Sequence, residues 1–165
     1  MPNTLSLDAS FLEALFGEDE LGAVVRAHIH IEAQVNSLLD LMVPYPAHLP
    51  RLRYEQNARL VCALGLAEES FAPLKVLGDI RNRFSHKLDT KLTDGMVKEL
   101  YDAFSATDRQ TILDAYAMTD GQLASRLPSG FSSLGPRDRF VIIAVALDKL
   151  LTQAREESRA AKGHL

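Results

Sequence analysis

Residues 21–42 read LGAVVRAHIHIEAQVNSLLDLM, and this stretch decides the fold. Its apolar side chains recur three and four positions apart, which places them on one face of an α-helix. The residues that carry this spacing are Leu21, Val24, Val25, Val35, Leu39 and Met42. The acidic residues 18–20 suit the start of a helix, and Pro44 prevents its continuation. The stretch therefore predicts one long amphipathic helix.

The same spacing recurs on both sides of the long helix and predicts further helices. They are expected at about 11–16, 52–64, 68–86, 94–104, 108–116 and 137–158. Val141, Ile142 and Ile143 have strand propensity, but the apolar pattern continues through Leu151 and favours a helix there too. We therefore predict an all-α fold, an up-and-down helical bundle of about six or seven helices, in a single domain over residues 1–165.

Composition and charge narrow the class of protein. The chain carries a net charge of −4, so the molecule as a whole has no attraction for polyanions. Residues 51–91, however, contain eight Lys or Arg residues against five Asp or Glu residues. These charges are either ordinary solvated helix faces or a local binding surface for phosphates.

The single cysteine and the ends of the chain bear on its location. Cys62 cannot form an intrachain disulfide, which favours a reducing compartment, and its apolar neighbours indicate a buried thiol. The N-terminus lacks the basic and apolar segments of a signal peptide, and no apolar run is long enough to cross a bilayer. We expect a cytoplasmic protein without membrane contact.

Charged residues within the apolar helix faces are the first candidates for a site. At 100° per residue, Arg81 falls between Leu74 and Leu77 on its helix, and Glu32 and His28 fall inside the apolar face of the long helix. A buried charge without a partner costs several kcal/mol. We therefore predict that Glu32 and Arg81 pair between the two helices. The pair either only fixes helix register or holds Arg81 with its remaining donors facing a cavity.

Asn82 and His86 are the next candidates, because residues four apart share one helix face. Asn82 is predicted to hydrogen-bond the His86 imidazole and so to select its tautomer. The alternative for His86 is a histidine at a helix C-terminus that interacts with the dipole. Arg81 lies well round the helix from His86. The two can serve one site only through the reach of Arg81, or at a seam closed by a second subunit.

These residues carry a resemblance to a known family. Arg81-Asn82-Arg83-Phe84-Ser85-His86 resembles the Arg-Asn-x3-His signature of HEPN domains (higher eukaryotes and prokaryotes nucleotide-binding). The long helix, a run ending in Ala63-Leu64-Gly65-Leu66 and the signature helix follow in an order similar to that of the mannitol operon repressor family. The resemblance covers about residues 12–104, the expected HEPN-like core. Residues of about 107–160 would form a C-terminal helical extension.

The resemblance implies a homodimer, and in active members a metal-independent RNA-cleaving site at the dimer seam. Arg81 would hold the scissile phosphate, His86 would move protons and Asn82 would orient His86. Glu32 and His28 would support the site, and Arg83 and Lys87 would bind RNA. The product would carry a 2′,3′-cyclic phosphate, and DNA would not be cut. The alternative is a non-catalytic transcriptional regulator of the mannitol operon repressor type.

Other chemistry has less support in the sequence. His28 and His30 lie on different faces of one helix, and no Cys/His zinc pattern or phosphate-binding glycine loop is present, so no metal or cofactor is expected. Direct DNA binding is not expected either, because no helix-turn-helix with a basic recognition helix stands out. A regulator would act through a protein partner, regulatory or antitoxin-like. A late loop is predicted at residues 127–136 from its glycines, prolines and serines. The apolar residues in or beside it either dock such a partner or anchor the loop in the core, and they are Leu123, Leu127, Phe131 and Leu134.

Overall fold

The computed structural model describes residues 7–87, 89–122 and 130–163, and for residues 120–122 it describes the backbone alone. This part of the chain contains seven α-helices and no strand. The helices are α1 (Ala9–Phe16), α2 (Glu20–Met42), α3 (Tyr54–Ala63), α4 (Phe71–His86), α5 (Asp94–Asp102), α6 (Ala106–Gln122) and α7 (Pro136–Lys162). Short 3-10 turns lie at Pro46–His48, Glu68–Ser70 and Phe131–Ser133. The predicted all-α fold is confirmed.

Local chemistry sets the helix ends. The Asp8 and Asp19 carboxylates accept hydrogen bonds from the backbone N–H of Phe11 and Gly22, which caps the first turns of α1 and α2. The Thr93 hydroxyl caps α5 in the same way. After α3 the chain turns at Gly65, whose φ of +126° lies in the region that favours glycine. These ends agree with the sequence prediction to within a few residues.

The α7 helix is central to the core, although its residues belong to the expected C-terminal extension. Every residue from 140 to 147 is buried, and α7 packs along α2 and also contacts α1, α5 and α6. Val141, Ile142 and Ile143 are helical as predicted. One hydrophobic cluster joins side chains of the region 12–104 to those of α7, so both regions build the same core.

None of the helices in residues 7–87, 89–122 and 130–163 combines the length and the apolar character needed to span a membrane.

Candidate functional site

The last turn and a half of α4 presents the Arg-Asn-x3-His residues to solvent. Ile80 and Phe84 are buried and hold this end of the helix against the core. The three residues between them and the three residues after Phe84 are exposed, namely Arg81, Asn82, Arg83, Ser85, His86 and Lys87. The motif therefore lies on an accessible surface.

The prediction that Arg81 lies within the buried face of α4 is wrong, because its side chain is exposed. Tyr54, the first residue of α3, packs on the preceding part of α4. Its hydroxyl donates to the Leu74 carbonyl at 2.8 Å, about two turns before Arg81. A Cβ on Gly78, one turn before Arg81, would lie only 3.0 Å from the Tyr54 ring. Arg81 lies beyond this contact and lines a cleft together with Tyr54.

The predicted ion pair between Glu32 and Arg81 is also wrong. Both side chains line one cleft of about 460 Å³ between α2, α4 and the start of α3, yet they do not pair. The Glu32 carboxylate lies 3.8 Å from His28 Nδ1. Arg81 Nη1 instead donates to Asn82 Oδ1 at 3.1 Å. Because both charges reach solvent, neither needs the other as a partner.

Two residues that line this first cleft, His28 and Tyr54, are uncharged at physiological pH. His28 is buried, as predicted, and its ring packs on Tyr54 with 4.4 Å between centroids. Burial lowers the pKa of His28 to about 4, and the positive Arg81 contributes to the same shift. Burial likewise raises the pKa of Tyr54, with a further contribution from negative Glu32. The charge of the cleft comes from the other ionisable residues that line it, which are Glu32, Arg53, Glu55, Lys75, Asp79 and Arg81.

His86 is the last residue of α4 and lines a second cleft of about 480 Å³. Within the described ranges its imidazole has no hydrogen-bond partner, so the predicted bond from Asn82 is not formed; Asn82 Oδ1 accepts from Arg81 instead. Asn82 lies in the wall between the two clefts and lines both. The structure thus brings Arg81 and Asn82 together and places His86 on the other side of Asn82.

The second cleft is rich in positive charge. Arg83, Lys87 and Lys91 line it together with His86. Arg83 Nη2 lies 3.5 Å from Glu99 Oε2, and both side chains are about half exposed, so this pair is weak. Neither Lys87 nor Lys91 has an acidic partner among residues 7–87, 89–122 and 130–163. The surface of the cleft itself is mostly apolar. The basic groups around it would attract phosphate groups.

The late-loop residues behave differently from one another. Leu134 is buried, which favours core anchoring over partner docking. Phe131 is half-buried and lies beside Tyr101, with 5.8 Å between the ring centroids. Leu123 and Leu127 lie outside the described residues.

A second polar cluster, formed by Asp8, His30 and Asp148, was not found from the sequence. His30 Nε2 lies 2.8 Å from Asp148 Oδ1, although the two residues are 118 positions apart. In the sequence the nearest histidine to His30 is His28, which lies on a different face of the same helix and gives no sign of the distant aspartates. The signal that could have found the cluster is Asp148, a charged residue inside the continuous apolar run of α7.

No family model matches the chain, and searches of curated proteins and of solved structures find no match either. The HEPN resemblance therefore stays a prediction based on the motif residues.

Proposed function

We propose that this protein is a HEPN-like, homodimeric, metal-independent endoribonuclease that cleaves at Arg81, Asn82 and His86. The observation that carries the proposal is the exposed Arg-Asn-x3-His end of α4, which divides two clefts and lies beside a cationic surface.

Arg81 has the properties of a phosphate ligand. A guanidinium offers several N–H donors in a planar fork that fits phosphate oxygens, and it stabilises the charge that develops during cleavage. One donor of Arg81 is engaged by Asn82 Oδ1, which orients the group. The remaining donors face the cleft and are available to the scissile phosphate.

His86 has the properties of a proton-transfer group, because it is exposed and unpartnered in the described part of the chain. In the proposed reaction the RNA 2′-oxygen bonds to phosphorus and the bond from phosphorus to the 5′-oxygen breaks. His86 takes the proton of the 2′-hydroxyl or supplies one to the departing 5′-oxygen. The products are a 2′,3′-cyclic phosphate and a 5′-hydroxyl. DNA lacks the nucleophile and would not react.

Arg83 and Lys87 would hold the neighbouring phosphates of the RNA along the second cleft. Contacts of this kind carry little base specificity and weaken as salt rises. They would therefore set affinity and leave the cleaved sequence to other contacts.

A second copy of the chain would complete the site. Arg81 and His86 line separate clefts in one chain, so a single chain does not enclose a phosphate between them. Two copies that meet at the ends of their α4 helices would bring one His86 from each copy to a shared groove. One imidazole could then act as base and the other as acid.

The first experiment is incubation of the purified protein with labelled single-stranded RNA in EDTA. Wild type is expected to cleave and to leave 2′,3′-cyclic phosphate ends. His86→Ala and Arg81→Ala are expected to lower the rate at least about 100-fold, because loss of a proton-transfer group or a charge-stabilising donor typically costs that much. His48→Ala, which changes an exposed histidine in another part of the chain, is expected to cleave like wild type.

Circular dichroism and sedimentation would show that each variant is folded and has the oligomeric state of wild type. Absence of cleavage on several RNAs by a folded, dimeric wild type would contradict the ribonuclease proposal. That result would favour the alternative function, a non-catalytic transcriptional regulator. The half-buried Phe131, beside Tyr101 in a cleft of about 390 Å³, is the surface that favours protein-partner binding in that case.

A further inference from the structure

Asp8, His30 and Asp148 form a cluster away from the α4 site. Asp8 is the N-cap of α1, His30 lies in the middle of α2 and Asp148 lies in α7. Each residue offers one ligand atom, and these atoms all lie within 4.8 Å of one another. Two consecutive helices, α1 and α2, and the distant α7 thus bring a carboxylate, an imidazole and a second carboxylate together.

The neighbours of the cluster hold its side chains in fixed orientations. The His30 ring stacks on Phe11, with 3.8 Å between centroids and 12° between planes. Gln34 Nε2 donates to Asp148 Oδ1 at 2.8 Å. Asp148 itself is 3% exposed. A buried carboxylate is costly unless it is paired or coordinates a metal, so its position in an apolar helix face requires a partner.

Both carboxylates keep one oxygen free of the described residues. The Asp8 capping bonds from Ser10 and Phe11 both go to Oδ1. The bonds that Asp148 accepts from His30 and Gln34 also both go to Oδ1. The Oδ2 atom of each residue therefore has no partner among the described residues. The Asp8 capping bonds and the bond from Gln34 to Asp148 can stay in place when an ion replaces the bond between His30 and Asp148.

We propose that Asp8, His30 and Asp148 bind one divalent transition-metal ion, with Zn²⁺ as the best fit. Imidazole nitrogen and carboxylate oxygen are both ordinary zinc ligands, whereas Mg²⁺ and Ca²⁺ prefer oxygen alone. Two ligands at about 2.1 Å from one ion are about 3.0–3.4 Å apart at octahedral or tetrahedral angles. The 2.8 Å between His30 Nε2 and Asp148 Oδ1 is close to that spacing. The ion would take the place of the proton between these atoms.

The space around the cluster agrees with a bound cation. A cavity of about 320 Å³ is lined by Asp8, Gln34 and Asp148, and also by the positively charged Lys149 and Arg155. The cavity leaves room for water at the remaining coordination positions, and a divalent ion would compete with these two side chains for the charge of the carboxylates. Gln34 would support the ligand Asp148 from outside the coordination sphere. The ion would tie α1, α2 and α7 together, separately from the ribonuclease proposal.

The competing explanation is a metal-free ion pair between a protonated His30 and Asp148. Arg155, which hydrogen-bonds Gln34, would then add positive charge on the other side. The two explanations differ in whether Zn²⁺ binds at one site per chain. They differ also in whether removal of metal lowers the melting temperature.

The test is titration of EDTA-treated, tag-free protein with Zn²⁺ by calorimetry, beside thermal melts with Zn²⁺ and with EDTA. Wild type is expected to bind one Zn²⁺ per chain and to melt higher with Zn²⁺. His30→Gln is expected to bind at least about 100-fold more weakly, because loss of a ligand costs more than the 10–100-fold loss of a supporting partner. His48→Gln, Asp40→Asn and Cys62→Ser, which alter other potential zinc ligands, are expected to bind like wild type.

Asp8→Asn provides a second variant at a more exposed ligand, in case His30→Gln fails to fold. It too is expected to weaken Zn²⁺ binding while the helicity is retained. No saturable binding by wild type up to about millimolar Zn²⁺ would overturn the proposal. Equal affinity of wild type and folded His30→Gln would overturn it as well, and either result would identify the cluster as a hydrogen-bonded ion pair.

Discussion

Tyr54, the first residue of α3, forms the contacts nearest to the exposed end of α4. Tyr54 packs on His28, covers Gly78 and bonds the Leu74 carbonyl, so α4 is closed over at this level. One turn further along, Arg81 has no such cover and is exposed. The proposed reaction depends on this exposure, because a covered guanidinium could not contact a phosphate.

At the same scale, the thiol of Cys62 is expected to be a poor nucleophile. Burial raises its pKa, and the negative Glu68 nearby raises it further, so less thiolate is present at a given pH than for a free cysteine. The rate of alkylation by iodoacetamide, measured from pH 7 to pH 10.5, should therefore have its midpoint above that of a free thiol, whose ordinary value here is 9.0. Glu68→Gln should move the midpoint down. An unchanged or higher midpoint in this variant would contradict the assigned cause.

Helix ends are the features of single elements that the sequence predicts best, because a cap is a contact within three or four residues. Asp19 Oδ1 accepts from the Gly22 N–H at 2.7 Å at the start of α2, and its negative charge also suits the helix dipole. The start of α3 expected from the sequence, at about residue 52, differs from the observed start at Tyr54 by about two residues.

Two aspartates at opposite ends of α2 give a test at this scale. Asp19→Ala is expected to lower the free energy of unfolding by about 1 kcal/mol, because it removes the cap. Asp40→Ala changes an exposed carboxylate near the C-terminal end, where negative charge is unfavourable, and is expected to be neutral or slightly stabilising. Urea denaturation measures both. Equal destabilisation by the two substitutions would show that the cap contributes nothing specific.

The whole molecule is organised around the contact of α2 with α7. This contact joins the part of the chain that resembles HEPN domains to the residues expected to extend it. It also brings His30 and Asp148 together. Long-range packing therefore both supplies the stability of the domain and creates a polar cluster that no local pattern contains.

Substitution of two isoleucines, one buried and one exposed, tests how much the core contributes to the free energy of unfolding. Ile142 on α7 is completely buried, and Ile142→Ala is expected to cost about 2–5 kcal/mol of unfolding free energy through lost burial and a cavity. Ile29 on α2 is 60% exposed, and Ile29→Ala is expected to cost less than about 0.5 kcal/mol. Denaturant unfolding of both variants measures these free energies. A small loss for Ile142→Ala would mean that α7 is not an integral part of the core.

The sequence by itself determined the helical class, the approximate helix bounds and the position of the Arg-Asn-x3-His motif late in α4. These follow from apolar periodicity, caps and breakers, which act over a few residues and can be read along the chain. It also indicated that His28 is buried, because the apolar face around it is wide.

Only the tertiary structure decided that Arg81 is exposed, that Glu32 does not pair with it and that Asp8, His30 and Asp148 meet. A helical wheel gives the direction of a side chain but not which neighbour covers it, since cover depends on where other helices begin and end. Residues 118 positions apart meet only when α2 and α7 pack. The apolar burial that drives this packing is non-directional, so local patterns in the sequence do not reveal which polar groups it brings together.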